Sequence, residues 1–101
     1  MLDYEFIIKP INFSELRKFA SLSELVTFCD KNLNTSIQTA EIIIHAYIAQ
    51  NLEKILSFMK GGDTLVCFIS PEWTWDCLAG RAGYAIKRGE DYIYEKIVWM
   101  N

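Results

Sequence analysis

Basic residues are outnumbered in this chain: ten lysines and arginines stand against thirteen aspartates and glutamates, for a formal net charge of −3 over 101 residues. The two signs are mixed rather than blocked. A nucleic-acid backbone is met by clustered Lys and Arg, so no nucleic-acid partner is expected. Histidine occurs once, as His45, and the three cysteines have no Cys-x-x-Cys spacing. Histidine-based metal binding needs more than one histidine and scattered thiols, so no metal is expected. The odd and scattered Cys29, Cys67 and Cys77 each sit among apolar neighbours. They read as reduced, core-type thiols of a cytoplasmic protein rather than as a disulfide framework.

Long apolar runs are also missing. The densest stretch, residues 37–59, is interrupted by Gln38, Glu41, His45, Gln50, Asn51, Glu53 and Lys54, whereas a membrane span needs ~20 mainly apolar residues. No membrane partner is expected. Met1-Leu2-Asp3-Tyr4-Glu5 carries acid where an export leader carries base, which reads as an unexported chain. What remains is 51% hydrophobic and 23% charged, the balance of one folded domain over residues 1–101.

With only two prolines and five glycines, punctuation is sparse and therefore informative. Residues 4–9 read as a short strand stopped by Pro10, which has no N–H to give a ladder. Residues 13–19 fit either a helix capped by Asn12 and Glu15 or a strand. Ser21 with Glu24, and Thr35 with Gln38, are capping-box patterns, giving helices over 22–33 and 36–60, the second closed by Gly61-Gly62. So short a connection makes the two an antiparallel pair. Residues 63–69 read as a strand buried on both faces. Ser70 then reads as an N-cap, Pro71 as the first helical residue and Gly80 as the stop of a two-turn helix. Strands over 82–88 and 92–100 follow, joined at Gly89-Glu90-Asp91. The expected fold is α+β: an N-terminal antiparallel helix pair packed on a small three-stranded, mainly antiparallel C-terminal sheet with a short inserted helix.

Candidate chemistry is thin. His45 with Glu41 one turn earlier has the spacing of a base and its orienting carboxylate, but no nucleophile is tied to it. Cys77 lies at the C-terminal end of the inserted helix beside Asp76. The helix dipole and that carboxylate both disfavour a thiolate there, so it reads as a packing residue. Gly80-Arg81-Ala82-Gly83 offers an arginine between glycines, but no helix N-terminus or Lys-Ser/Thr follows it, so it is not a phosphate fingerprint and no cofactor is expected. Glu90, Asp91 and Glu95 read as solvated residues at and beside a turn.

The aromatic residues are more telling. Trp73 and Trp75, two positions apart on a helix, point about 200° apart, so one of them faces outward. On the last strand, simple alternation puts Trp99 on the opposite face from Tyr92 and Tyr94. Exposed Trp and Tyr are characteristic anchors of protein interfaces. The expected function is a small non-enzymatic protein-binding domain of the inhibitor or immunity kind, suited by its acidity to a basic partner. Its contact surface would comprise Trp73, Trp75, Arg81, Tyr84, Tyr92, Tyr94 and Trp99. A structural homodimer is the plainer form of the same idea. The competing class is a small-molecule or anion-binding module, or a minor enzyme, with Arg81, His45 and Tyr84 around one pocket.

Overall fold

The computed structural model describes residues 6–14, 16 and 36–100. Their elements, in chain order, are β1 (Ile7–Pro10), α1 (Ser36–Gln50), α2 (Leu52–Phe58), β2 (Thr64–Ile69), α3 (Glu72–Asp76), β3 (Arg81–Arg88) and β4 (Asp91–Met100). The class is α+β, with a four-stranded sheet in the order β1-β2-β3-β4 and every neighbouring pair antiparallel. The expected helix over 22–33, and with it the antiparallel helix pair, lies outside the described residues.

The sheet has one strand more than expected, because β1 joins it beside β2. Pro10 does not end the pairing: it sits opposite Val66, and the Ile11 N–H donates to the Leu65 carbonyl at 3.0 Å. This is possible because β1 is an edge strand, where a missing N–H costs no ladder bond on the open side. Phe13, Ser14 and Leu16 lie in a 3₁₀ turn, and Asn12 Oδ1 accepts the Ser14 N–H at 3.1 Å.

The helix expected over 36–60 is broken at Asn51. There the Asn51 side-chain amide donates to the Tyr47 carbonyl at 2.9 Å, a carbonyl that also accepts the Asn51 backbone N–H at 3.1 Å. A side chain competing for a helix carbonyl in this way interrupts the helix, and α2 begins at Leu52. It ends at Phe58, because Met59 is extended with φ −88° and ψ 143°. The two glycines therefore belong to a separate turn, closed by the Asp63 N–H on the Lys60 carbonyl at 3.0 Å and the Lys60 N–H on Asp63 Oδ2 at 2.9 Å.

Leu65, Cys67 and Ile69 of β2 and Ala82, Tyr84 and Ile86 of β3 point to one face. They pack against Ala40, Ile44 and Ile48 of α1, Ile55 of α2 and Trp75 of α3. The i, i+4, i+8 spacing of the α1 residues makes one continuous stripe along the helix. On the other face Val66, Phe68 and Ala85 gather with Phe6 and Tyr92. β2 is thus buried on both faces, as its unbroken apolar run implies.

Asp63 carries an acid-sensitive link in this frame. Its two oxygens accept Arg88 Nε and Nη2, each at 2.8 Å. These bonds, with the Lys60 N–H, bring its carboxyl down to about 2 from an ordinary 3.8. A depressed carboxyl contributes stability that is present above its unfolded value and lost as pH falls through the folded one. Thermal melts from neutral pH downward should therefore show the wild type losing stability between about pH 4 and pH 2. Asp63→Asn should melt lower at pH 7, and the gap should close at the acid end.

Candidate functional site

The inserted helix α3 is built around Ser70, but not in the way its sequence suggests. Ser70 is 2% exposed and does not cap the helix; the N-cap is Pro71, with no side-chain cap. The Ser70 hydroxyl oxygen instead accepts the Arg81 backbone N–H at 2.8 Å, and the Ser70 N–H donates to the Arg81 carbonyl at 2.8 Å. Ser70 Oγ and Thr74 Oγ1 are 2.7 Å apart. Since the Thr74 hydroxyl donates to the Pro71 carbonyl, the Ser70 hydroxyl is the donor to Thr74. The end of β2 and the start of β3 are thereby clamped, with α3 bridging them.

Trp75 fills the space beneath this bridge. It is 4% exposed, its indole N–H donates to the Ser70 carbonyl at 3.1 Å, and its ring lies 5.1 Å from that of Trp99. Gly80 is required by this packing rather than by helix termination, because a Cβ at residue 80 would fall on the Trp75 ring. Trp73, on the opposite side of α3, is 60% exposed. The expectation that the two tryptophans cannot share a face holds in the structure.

The helix ends in a Schellman arrangement: the Leu78 N–H donates to the Trp75 carbonyl at 3.5 Å and the Ala79 N–H to the Thr74 carbonyl at 2.7 Å. Glycine is the usual occupant of the left-handed position in this motif. Here it is Leu78, with φ +61°, the one non-glycine residue of positive φ among the described residues. Its side chain is 76% exposed. A left-handed leucine costs about 1–2 kcal/mol, and so exposed a side chain gains little burial to offset it. Close to it along the chain are the exposed Trp73, Cys77 and two carboxylates, Glu72 and Asp76. The one cation between residues 70 and 81, Arg81, turns its Nη1 back onto the Gly80 carbonyl at 2.8 Å.

The remaining candidates separate. Tyr84 is 4% exposed and belongs to the core, as Trp75 does. Two bulges in β4, at Ile93 and Val98, change the faces that simple alternation assigns. Tyr94 sits opposite Ile86 and Trp99 opposite Ala82, both on the helix-covered face, while Tyr92 sits opposite Lys87 on the other. Tyr94 is exposed, and Tyr92 and Trp99 are half-buried. His45 is nearly buried, and its Nδ1–H donates to the Glu41 carbonyl at 2.7 Å, so it meets the backbone rather than the carboxylate of Glu41. Cys67 is core-type, and burial pushes its thiol up to about 11. Cys77 is exposed, contrary to its reading as a packing residue; Cys29 lies outside the described residues.

Sequence reasoning missed two surface residues. Leu78 could have been suspected, because Cys77-Leu78-Ala79 must stop a helix without Gly or Asn. Phe58, 57% exposed and stacked on Tyr94 at 6.2 Å and 14°, depends on the helix break at Asn51, which composition does not announce. Comparison of the chain with protein-family models, curated proteins and solved structures found no match.

Proposed function

We propose that this protein is a non-enzymatic binding module that holds a basic partner protein, in the manner of an inhibitor or immunity protein. The contact centres on the turn that displays Trp73 and Leu78. The single observation that carries the reading is Leu78, whose strained backbone holds a large apolar side chain in solvent. Strain of this sort is retained where the surrounding structure serves a function. A neighbouring exposed tryptophan supplies an interface anchor, and Glu72 and Asp76 supply the polar rim that steers a cationic surface. Arg81, its side chain folded back on Gly80, supports the turn from within. Trp99 and Met100, at the end of β4 that pairs with Ala82 and Arg81, extend the surface along the same edge of the sheet.

Cys77 gives a native handle beside both anchors. In a Cys29→Ser background, a thiol-reactive photo-crosslinker should label Cys77 and spare Cys67, whose thiol stays protonated at neutral pH. The partner captured through Cys77 is then titrated against Trp73→Ala. The expected result is a loss of affinity of at least about 2 kcal/mol, roughly thirtyfold, as for an interface anchor, with the melting temperature unchanged. An affinity that Trp73→Ala leaves unmoved would remove this turn from the interface.

A further inference from the structure

At the other end of β4, away from α3, a small hollow of about 60 Å³ opens between α2 and the sheet. Its lining includes four aromatic residues, Tyr47, Phe58, Tyr84 and Tyr94, and two lysines, Lys54 and Lys96. No carboxylate belongs to its lining. In an acidic protein that is an uneven distribution. Asp63 pairs with Arg88 and Glu41 with Lys9, at 2.8 and 3.3 Å, whereas neither Lys54 nor Lys96 meets a carboxylate at ion-pair distance among the described residues.

The lysines are brought together by features already described. Past the break at Asn51, Lys54 and Phe58 of α2 share this hollow with Tyr94 and Lys96 of β4. The register of β4 places Lys96 opposite Tyr84 on the helix-covered face, while Glu95 falls opposite Ala85 on the other. The Lys96 ammonium lies 5.9 Å from the centre of the Tyr47 ring, a cation–π contact that holds the charge at the mouth. The Tyr47 backbone carbonyl already accepts both the backbone and the side-chain N–H of Asn51. It is not free to serve the lysines.

The phenols add donors. The rings of Tyr84 and Tyr94 lie 6.0 Å apart, and burial with the neighbouring phenols keeps Tyr84 protonated well above its ordinary range. Each of the three phenols, Tyr47, Tyr84 and Tyr94, carries one O–H donor. Phenols and lysines thus line a space to which no carboxylate contributes. On a scale of about 10–15 Å³ per water-sized centre, the hollow takes a group of roughly four heavy atoms, the size of a carboxylate with its methylene.

We propose that this hollow is a carboxylate-binding site, independent of the Trp73 and Leu78 surface, in which Lys54 and Lys96 pair with the anion and the tyrosine hydroxyls donate to it. The carboxylate belongs either to a free small acid or to an Asp or Glu side chain of a bound protein.

The test is a titration at constant ionic strength, read by amide and lysine side-chain NMR shifts, with glutarate, with the blocked peptide acetyl-Ala-Glu-Ala-amide and with inorganic phosphate as probes. Saturable shifts confined to the residues around the hollow are expected with glutarate, at a dissociation constant on the order of 1 mM. Lys96→Met keeps the alkyl stem and removes the charge. Together with Lys54→Met it should weaken binding by roughly tenfold or more, while Lys87→Met, on the other face, changes nothing. Tighter binding of the peptide than of glutarate would assign the carboxylate to a protein side chain, and the reverse to a free acid; both sustain the site. No saturable shift, shifts unchanged in the double variant, or tighter binding of phosphate than of either carboxylate would overturn it.

Discussion

Gly83→Ala should destabilise this protein by about 3 kcal/mol or more, the upper end of what overpacking costs, out of the 5–15 kcal/mol that hold a domain of this kind together. A Cβ at residue 83 would fall on the backbone carbonyl of Lys96 and press on the Phe68 ring. The bulge at Val98 brings β4 this close: Ala82 sits opposite Trp99 and Gly83 opposite Ile97, with Val98 between them. A flexible side chain would swing away, but a backbone carbonyl moves only if the β3–β4 ladder opens. Urea midpoints would measure the loss. Gly61→Ala is the natural control, since a Cβ there meets nothing within 4 Å, and it should stay within about 0.5 kcal/mol of wild type.

Trp75→Ala should cost about 3–5 kcal/mol, the range for truncating a buried large aromatic, and Trp73→Ala should cost no more than about 0.5 kcal/mol. The two residues are two positions apart and share a helix, so the contrast isolates burial from local propensity. Trp75 loses its contact with Trp99, its cover over Gly80 and the N–H bond that satisfies the buried Ser70 carbonyl. Trp73, mostly in solvent, has little to lose. Chemical denaturation of both variants, followed by far-UV circular dichroism so that the readout does not depend on tryptophan, gives the two values. Near-equal losses would mean that α3 does not sit on the sheet as described.

These contrasts mark which features the sequence carries and which it hides. The α+β class, the two-faced burial of β2, the β3–β4 hairpin and the division of labour between Trp73 and Trp75 all follow from periodicity and turn chemistry, which act locally. The places that escaped are those where a local signal had a second claimant. Ser70 before Pro71 has the form of an N-cap, but Arg81, eleven residues on, takes the hydroxyl oxygen. Gly80 has the form of a helix stop, but the Trp75 ring needs that glycine, and the stop passes to Leu78. The alternation of β4 fails at Ile93 and Val98 because bulges depend on the partner strand. Pro10 looked like a boundary because its place at the sheet edge is a matter of topology.

The same reasoning separates the two proposed sites. The hollow at Lys54 and Lys96 needed the structure, since its walls come from α1, α2, β3 and β4. The surface at Trp73 was half legible, through the angle between two tryptophans, and Leu78 completed it only once its backbone was seen.

Leu78→Gly is the most direct measurement of the central claim, that this turn keeps a strained leucine for the sake of a partner. Glycine fits the left-handed position at the helix end without the steric cost, so the variant should be as stable as wild type or more stable, by up to about 1 kcal/mol in urea denaturation. Its affinity for the partner captured through Cys77 should fall at least tenfold, about 1.4 kcal/mol. Stability gained with affinity lost is the predicted result; stability lost, or affinity unchanged, would contradict the account.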